Sequence, residues 1–193
     1  TMNARRCLSF QTQDKGMMDL EFRKKIKTVI YGCDICQICC PYNKGISSPP
    51  VAEIDPDLAE PELIPFLDLS NGQFKEKFGM IAGSWRGKNI LQRNAIIALA
   101  NSNDRSAIPK LIEIIDKKQN PIHIATAIWA LGQLVKQPNE EMIAFIAGLS
   151  SDNDDVLAEQ AAFLNMVKDL QMWYNKDYES KWGVYGYSRI SPK

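Results

Sequence analysis

Four of the five cysteines fall in one run of eight residues, Cys33-Asp34-Ile35-Cys36-Gln37-Ile38-Cys39-Cys40, closed by Pro41; the fifth is Cys7. Thiolates at that density point to a soft metal centre. A cubane iron–sulfur cluster takes one thiolate per iron, and tight loops must deliver them, as in the C-x2-C-x2-C-x3-C-P run of bacterial electron carriers. Here Cys33, Cys36 and Cys40-Pro41 form a compact C-x2-C-x3-C-P. One thiolate is missing locally, and Cys7 is the cysteine left to supply it. Cys7, Cys33 and Cys36 are therefore assigned to one 4Fe-4S cluster, with Cys40 reaching a second. Two cubanes need eight thiolates and this scheme provides four, so the rest are expected from a missing N-terminal segment. Cys39 is expected to be a buried bystander, as free cysteine often is. Zinc uses the same ligand type, but a four-thiolate zinc site calls for a second C-x2-C knuckle and only one is clear.

The surrounding composition narrows the class. The chain has 193 residues, with 23 Lys and Arg against 23 Asp and Glu, so it is not a general polyanion binder. The balance is local rather than uniform: residues 51–70 hold six carboxylates and no Lys or Arg, between basic stretches at 1–45 and 75–93. A nucleic acid would meet one face. No stretch approaches the roughly 20 apolar residues needed to span a bilayer. The chain is expected in the cytoplasm, where thiols stay reduced, off the membrane and as a monomer.

These thiols need elements to position them. Residues 17–30 (MMDLEFRKKIKTVI) read as a short basic helix, and 31–45 as a loop. Residues 46–65, with five prolines, read as an irregular linker. Amphipathic periodicity then predicts helices over 89–100, 105–117, 121–135, 139–149 and 153–169. QRNAIIALAN and IATAIWALGQL repeat at a spacing of about 32 residues, which suggests paired helices stacked in a short HEAT-like array. The expected fold is mostly α: a ferredoxin-like 4Fe-4S segment (1–48), a linker (49–70), HEAT-like helical repeats (71–170) and an aromatic-rich tail (171–193). His123, the only histidine, is expected to be structural.

Arg6-Cys7-Leu8-Ser9-Phe10, Lys15-Gly16, Tyr31-Gly32-Cys33-Asp34-Ile35-Cys36-Gln37 and Cys40-Pro41-Tyr42-Asn43 resemble the C-terminal half of epoxyqueuosine reductase. Trp85-Arg86-Gly87-Lys88 and Gln92-Arg93-Asn94-Ala95 resemble the helical-repeat part of that family, and the resemblance runs from residue 1 to about 135. It implies a cobalamin-dependent reductase that converts epoxyqueuosine to queuosine in the anticodon stem-loop of tRNA. It also implies two 4Fe-4S clusters fed by an external electron donor. The catalytic acid and cobalamin domain would lie upstream, so no catalytic residue is expected here and the chain alone would be inactive. Cys39 and Tyr42 stand where the family commonly has an apolar residue and Trp, and Phe10 stands where Tyr is usual.

Ser9, Gln11 and Asp34 adjoin cluster ligands and, by the same analogy, are candidates to line cobalamin. Trp85, Arg86, Lys88, Gln92, Arg93 and Asn94, with Lys75 and Lys77 nearby, combine cations, an aromatic ring and amides. That mixture can neutralise phosphate and stack on or hydrogen-bond splayed bases. The competing reading of these residues is a solvated basic face with Trp85 in the core. Lys24, Lys25 and Lys27 are read as a solvated helix face. The alternative to a tRNA reductase is an iron–sulfur electron-transfer module on a protein-binding helical scaffold.

Overall fold

A computed structural model describes residues 3–46 and 55–182, with side chains to residue 170. Among the described residues the chain is helical and has no strand. Short elements come first: α1 (Leu8–Gln13), α2 (Leu20–Arg23), α3 (Ile35–Ile38), α4 (Pro56–Ala59) and α5 (Leu63–Phe66). Longer helices follow: α6 (Asn71–Phe78), α7 (Lys88–Asn101), α8 (Ile108–Lys117), α9 (Pro121–Leu134), α10 (Glu140–Ala147) and α11 (Asp154–Trp182). Their starts obey local chemistry. Ser70 and Gln73 form a reciprocal capping box on α6, and Asn120 and Asn139 cap α9 and α10 through their side-chain oxygens. Pro109 and Pro121 sit in first turns, where no N–H is needed.

Helices α7 and α9 are the inner layer, apolar nearly all round, with Leu91 to Ala100 and Ile124 to Leu131 buried without interruption. Helices α8 and α11 pack on α9, and α10 packs on α11. The main core joins Ile96, Ile97, Leu111, Ile115, Ile128, Leu131, Ile146, Val156 and Phe163. Met18, Phe22 and Ile26 belong to the same core, so the cysteine-bearing segment is built onto the helical array rather than set beside it. Full burial of each such side chain stabilises by roughly 1.5–3 kcal/mol. A smaller cluster holds Phe66, Phe74, Phe78, Leu91 and Ala95, with Phe66 edge-on to Phe78 at 5.2 Å.

Two expectations need correction. The helix read over 17–30 shrinks to Leu20–Arg23. Its further carbonyls are claimed by α7: Asn101 Nδ2 donates to the Arg23 and Lys27 carbonyls, both at 2.7 Å, and Asn94 Nδ2 donates to the Ile30 carbonyl at 2.8 Å. Lys27 meanwhile turns to φ 53°, outside the helical region. The linker read over 46–65 is also structured where it is described. Asp55 caps α4, and α5 buries Phe66 in the smaller core. Residues 47–54 lie outside the described residues, as do the side chains of the aromatic tail, whose backbone continues α11 to Trp182.

Arg93 is the main polar tie between the two parts. It is 1% exposed, and its five N–H donors make five hydrogen bonds: Nη1 to the carbonyls of Asp14 and Gly16, Nη2 to the Gln11 carbonyl and Asn94 Oδ1, and Nε to Asn94 Oδ1. Burial pushes its pKa down to about 10, against a rise from Asp14, so it remains charged at neutral pH. The second tie is the buried pair of Arg23 and Glu159 at 2.6 Å, joining α2 to α11.

Replacing Arg93 by Met should lower stability by about 3–5 kcal/mol in urea denaturation, because several buried acceptors lose their donors together. Lys75→Ala, on an exposed face, should stay within about 0.5 kcal/mol. A loss below about 1 kcal/mol for Arg93→Met would mean that the tie is dispensable. His123 gives a pH dependence. Its Nε2 lies 2.9 Å from the Asn89 carbonyl, and burial holds its pKa below the usual 6.5, with Lys88 and Arg93 pushing the same way. The folded state then binds the proton less readily than the unfolded state. Stability should be full above about pH 6.5 and fall as the pH drops through the lowered value. His123→Gln should flatten that part of the profile, and an unchanged slope would remove His123 as its source.

Candidate iron–sulfur and nucleic-acid surface

Cys7 is the residue before α1 and its carbonyl accepts from Gln11 N at 3.1 Å. Cys33 follows Gly32, whose φ of 76° suits a residue without a side chain. The two cysteine segments are joined by Thr12, which is fully buried: its hydroxyl donates to the Ser9 carbonyl at 2.8 Å and accepts the Gly32 N–H at 3.0 Å. Cys36 lies in α3. Cys40 precedes a 3-10 turn, Pro41–Asn43. Asn43 Nδ2 folds that turn back by donating to the Gln37 carbonyl at 3.0 Å and to Gln37 Oε1 at 2.8 Å.

All five thiols are free; Cys7, Cys33 and Cys40 are half-buried, and Cys36 is exposed. Cys39 is exposed too, which overturns its expected burial. It ends a single helical turn on the surface and has no core to enter. Among the described residues, no three His, Cys, Asp or Glu side chains are gathered into a metal cage. The donor chemistry nevertheless suits an iron–sulfur cluster: thiols only, on short loops, open to solvent and tied to one scaffold. Ile35, Ile38 and Tyr42 on the same loop are exposed at 48%, 76% and 89%.

The cobalamin candidates differ in access. Gln11 is buried and its Nε2 donates to the Arg5 carbonyl at 2.6 Å, so that amide nitrogen is committed internally. Ser9 is half-buried and its hydroxyl oxygen accepts from Gln13 at 3.2 Å. Asp34 is exposed and its side chain makes no capping bond to α3.

The six residues read as RNA contacts separate into two groups. Trp85 and Arg86 lie on a 3-10 turn, Ser84–Arg86, just ahead of α7. Trp85 is 65% exposed, which overturns its reading as a core residue, and the Arg86 guanidinium stacks 3.9 Å from its ring centre. Lys88 is half-buried with its ammonium on the Leu69 carbonyl at 2.8 Å. Gln92, Arg93 and Asn94 are corrected from contacts to structural residues: all three are buried. Gln92 donates to the Phe66 and Leu67 carbonyls, and Asn94 to those of Thr12 and Ile30. Helix α7 is buried on every side at that point, so a polar residue there meets backbone rather than solvent.

Sequence reasoning missed the contact that joins the two surfaces. A Cβ on Gly83 would lie 2.9 Å from Tyr31 Cγ, so the Tyr31 ring rests against the Gly83 backbone. Tyr31 precedes Gly32-Cys33 and Gly83 precedes Ser84-Trp85-Arg86, so the cysteine loop and the Trp85 turn touch. The one local signal is Gly83, whose missing side chain leaves room for the ring.

With this geometry in view, comparison with known proteins is informative. Residues 1–43 match a 4Fe-4S double cluster binding domain, and residues 87–164 match HEAT repeats. An epoxyqueuosine reductase from Lactococcus garvieae is 59% identical over 135 residues, which cover 69% of this chain and 38% of that protein. The solved epoxyqueuosine reductase from Streptococcus thermophilus superposes with a TM-score of 0.83 at 70% identity, over 87% of this chain and 45% of the other. A crystal structure of epoxyqueuosine reductase with a tRNA-Tyr epoxyqueuosine-modified stem loop superposes with a TM-score of 0.77 at 43% identity, again over 87% and 45%. Cysteine spacing, helical repeats and fold therefore converge on one family: the chain is a relative of the epoxyqueuosine reductases and spans under half the length of these three.

Proposed function

We propose that this chain forms the cluster-holding and RNA-facing part of a reductase that converts epoxyqueuosine to queuosine in tRNA. The observation that carries the reading is the attachment of a cysteine loop of the 4Fe-4S type to a helical array through Tyr31 and Gly83, next to an exposed Trp–Arg turn. Cys7, Cys33 and Cys36 would hold one 4Fe-4S cluster, and Cys40 would reach a second. The other thiolates would come from a part of the protein outside this chain. Bound clusters and cobalamin would supply electrons and a reduced cobalt centre for the epoxide. Ser9 and Asp34 fit a polar cofactor edge better than Gln11, whose amide nitrogen is taken by Arg5.

This chain's own work is positional. Thr12 fixes the separation of the Cys7 and Cys33 segments, and Asn43 holds the Cys36–Cys40 turn closed. Trp85 offers a face for a base and Arg86 a cation for phosphate, and Gly83 and Gly87 flank them. The solved relative with a tRNA stem loop supports an RNA partner for this face. No acid in this chain is assigned as a proton donor.

A full-length protein purified without oxygen should contain about eight irons per chain, as two cubanes require. Trp85→Ala and Arg86→Ala should each weaken stem-loop binding about tenfold, in line with roughly 1–3 kcal/mol for one stacked base. Thermal stability should stay within about 1 kcal/mol, because Trp85 is exposed and Arg86 is only half-buried. Zinc in place of iron, or unchanged affinity of both variants at moderate salt, would overturn the cluster and RNA readings respectively.

A further inference from the structure

Cys39 has no place in the ligand scheme above, yet its position suits one. Cys33, Cys36 and Cys39 are spaced C-x2-C-x2-C, the spacing of the first three ligands in a complete ferredoxin-type run. Cys36 lies in α3 and Cys39 ends it, with the Cys39 N–H on the Ile35 and Gln37 carbonyls. Residues three apart on a helical turn share a face, with Cβ atoms about 5–6 Å apart. Both thiols are exposed. Cys7, by contrast, comes from a segment 26 residues before Cys33 and reaches the loop through folded contacts, Thr12 on Gly32 and Asn94 bridging the Thr12 and Ile30 carbonyls. A ligand set drawn from one short loop closes with little chain ordering, whereas one that includes Cys7 needs the segments assembled.

We propose that Cys39 is a reserve cluster ligand, and that Cys33, Cys36 and Cys39 form a local set able to hold a 4Fe-4S cluster when Cys7 is not engaged. This rests on the iron–sulfur reading of the loop. The exchange is a ligand substitution without redox change. The Cys39 thiol loses its proton and its sulfur bonds to one iron; the Cys7 sulfur leaves that iron and takes up a proton. Cys40 keeps its role toward the second cluster. The fourth iron of a cluster on this chain alone would take a small-molecule thiol from the buffer.

The test is anaerobic reconstitution of the chain with ferrous iron, sulfide and a small thiol. Iron and sulfide are counted after desalting, and the visible charge-transfer band is recorded. Wild type, C7S, C39S and C7S/C39S are compared, with circular dichroism confirming that each is folded. C7S should keep more than half of the wild-type iron, C39S should be near wild type, and C7S/C39S should lose iron several-fold relative to C7S. The inference is overturned if C7S falls as low as the double variant, or if the double variant keeps as much iron as C7S. Should a substitution at residue 39 unfold the chain, C39A and iron release from wild type and C7S to a chelator decide the matter. Slow release from C7S, within a few-fold of wild type, supports the reserve set, and immediate release refutes it. A wild-type chain that takes up no iron would overturn the iron–sulfur reading itself, a result distinct from selective loss in C7S.

Discussion

Arg93 is a charged side chain in the interior with no hydrogen-bonded carboxylate, and it is tolerable because every one of its N–H groups meets an oxygen. Two of those oxygens, the Asp14 and Gly16 carbonyls, belong to chain that lacks regular structure between α1 and α2; the Gln11 carbonyl belongs to α1, and Asn94 Oδ1 to α7 itself. A loop that runs into the interior must find donors for its carbonyls or leave them unpaired at a cost of about 1–3 kcal/mol each. Helix α7 provides them. The side-chain nitrogens of Gln92, Asn94 and Asn101 do the same for the Phe66–Leu67, Thr12, Ile30 and Arg23–Lys27 carbonyls. One helix thereby sets the path of the chain that carries Cys7 and the chain that leads to Cys33.

That arrangement explains how thiols on exposed loops can stand on a defined frame. The loops themselves are short: one turn of α3 and one 3-10 turn closed by Asn43. Such pieces are not stable alone. Their anchor points are Thr12 beneath Gly32, and the Met18, Phe22 and Ile26 side chains sunk among the repeat helices. Removing the helical array would leave the cysteine segment without most of its core, so the cluster module and the repeats are one packing unit.

The legible and illegible parts of the sequence follow from this. Helices α7 to α10 are legible because each is a continuous run rich in apolar residues, with Asn caps on α9 and α10 and a first-turn proline in α8 and α9; their predicted spans fall within a few residues of those observed. The basic helix over 17–30 was misread because its carbonyls bond to side chains about 65 to 80 residues away, and no local pattern records that. Gln92-Arg93-Asn94 looked like a surface triplet by residue type. A helix buried on all sides inverts the inference, since polar residues inside it become donors to neighbouring backbone. Trp85 is read as a nucleic-acid contact with a core position as the competing reading, and its ring is exposed on the turn that precedes the helix. The cysteine spacing points to an iron–sulfur centre, and the match of residues 1–43 to a 4Fe-4S double cluster binding domain agrees with that class; Cys39, expected in the interior because an apolar residue would serve there, is exposed. Ile35 and Ile38 in the same run are exposed as well, so apolar residue type on this loop does not report burial.

The inward use of Gln92, Arg93 and Asn94 also restricts where a nucleic acid can bind. With those groups committed to backbone carbonyls, and Lys88 on Leu69, the accessible cation and ring nearest the start of α7 are Arg86 and Trp85. That turn is held against Tyr31, one residue from the glycine that orients Cys33. A base stacked on Trp85 would therefore be fixed relative to the cysteine loop by two short covalent runs and one ring–backbone contact. A long side chain reaching across solvent would give no such constraint. Under the proposed function, rigid spacing of this kind would let electrons from a cluster on these thiols reach a nucleoside held at the Trp85 turn.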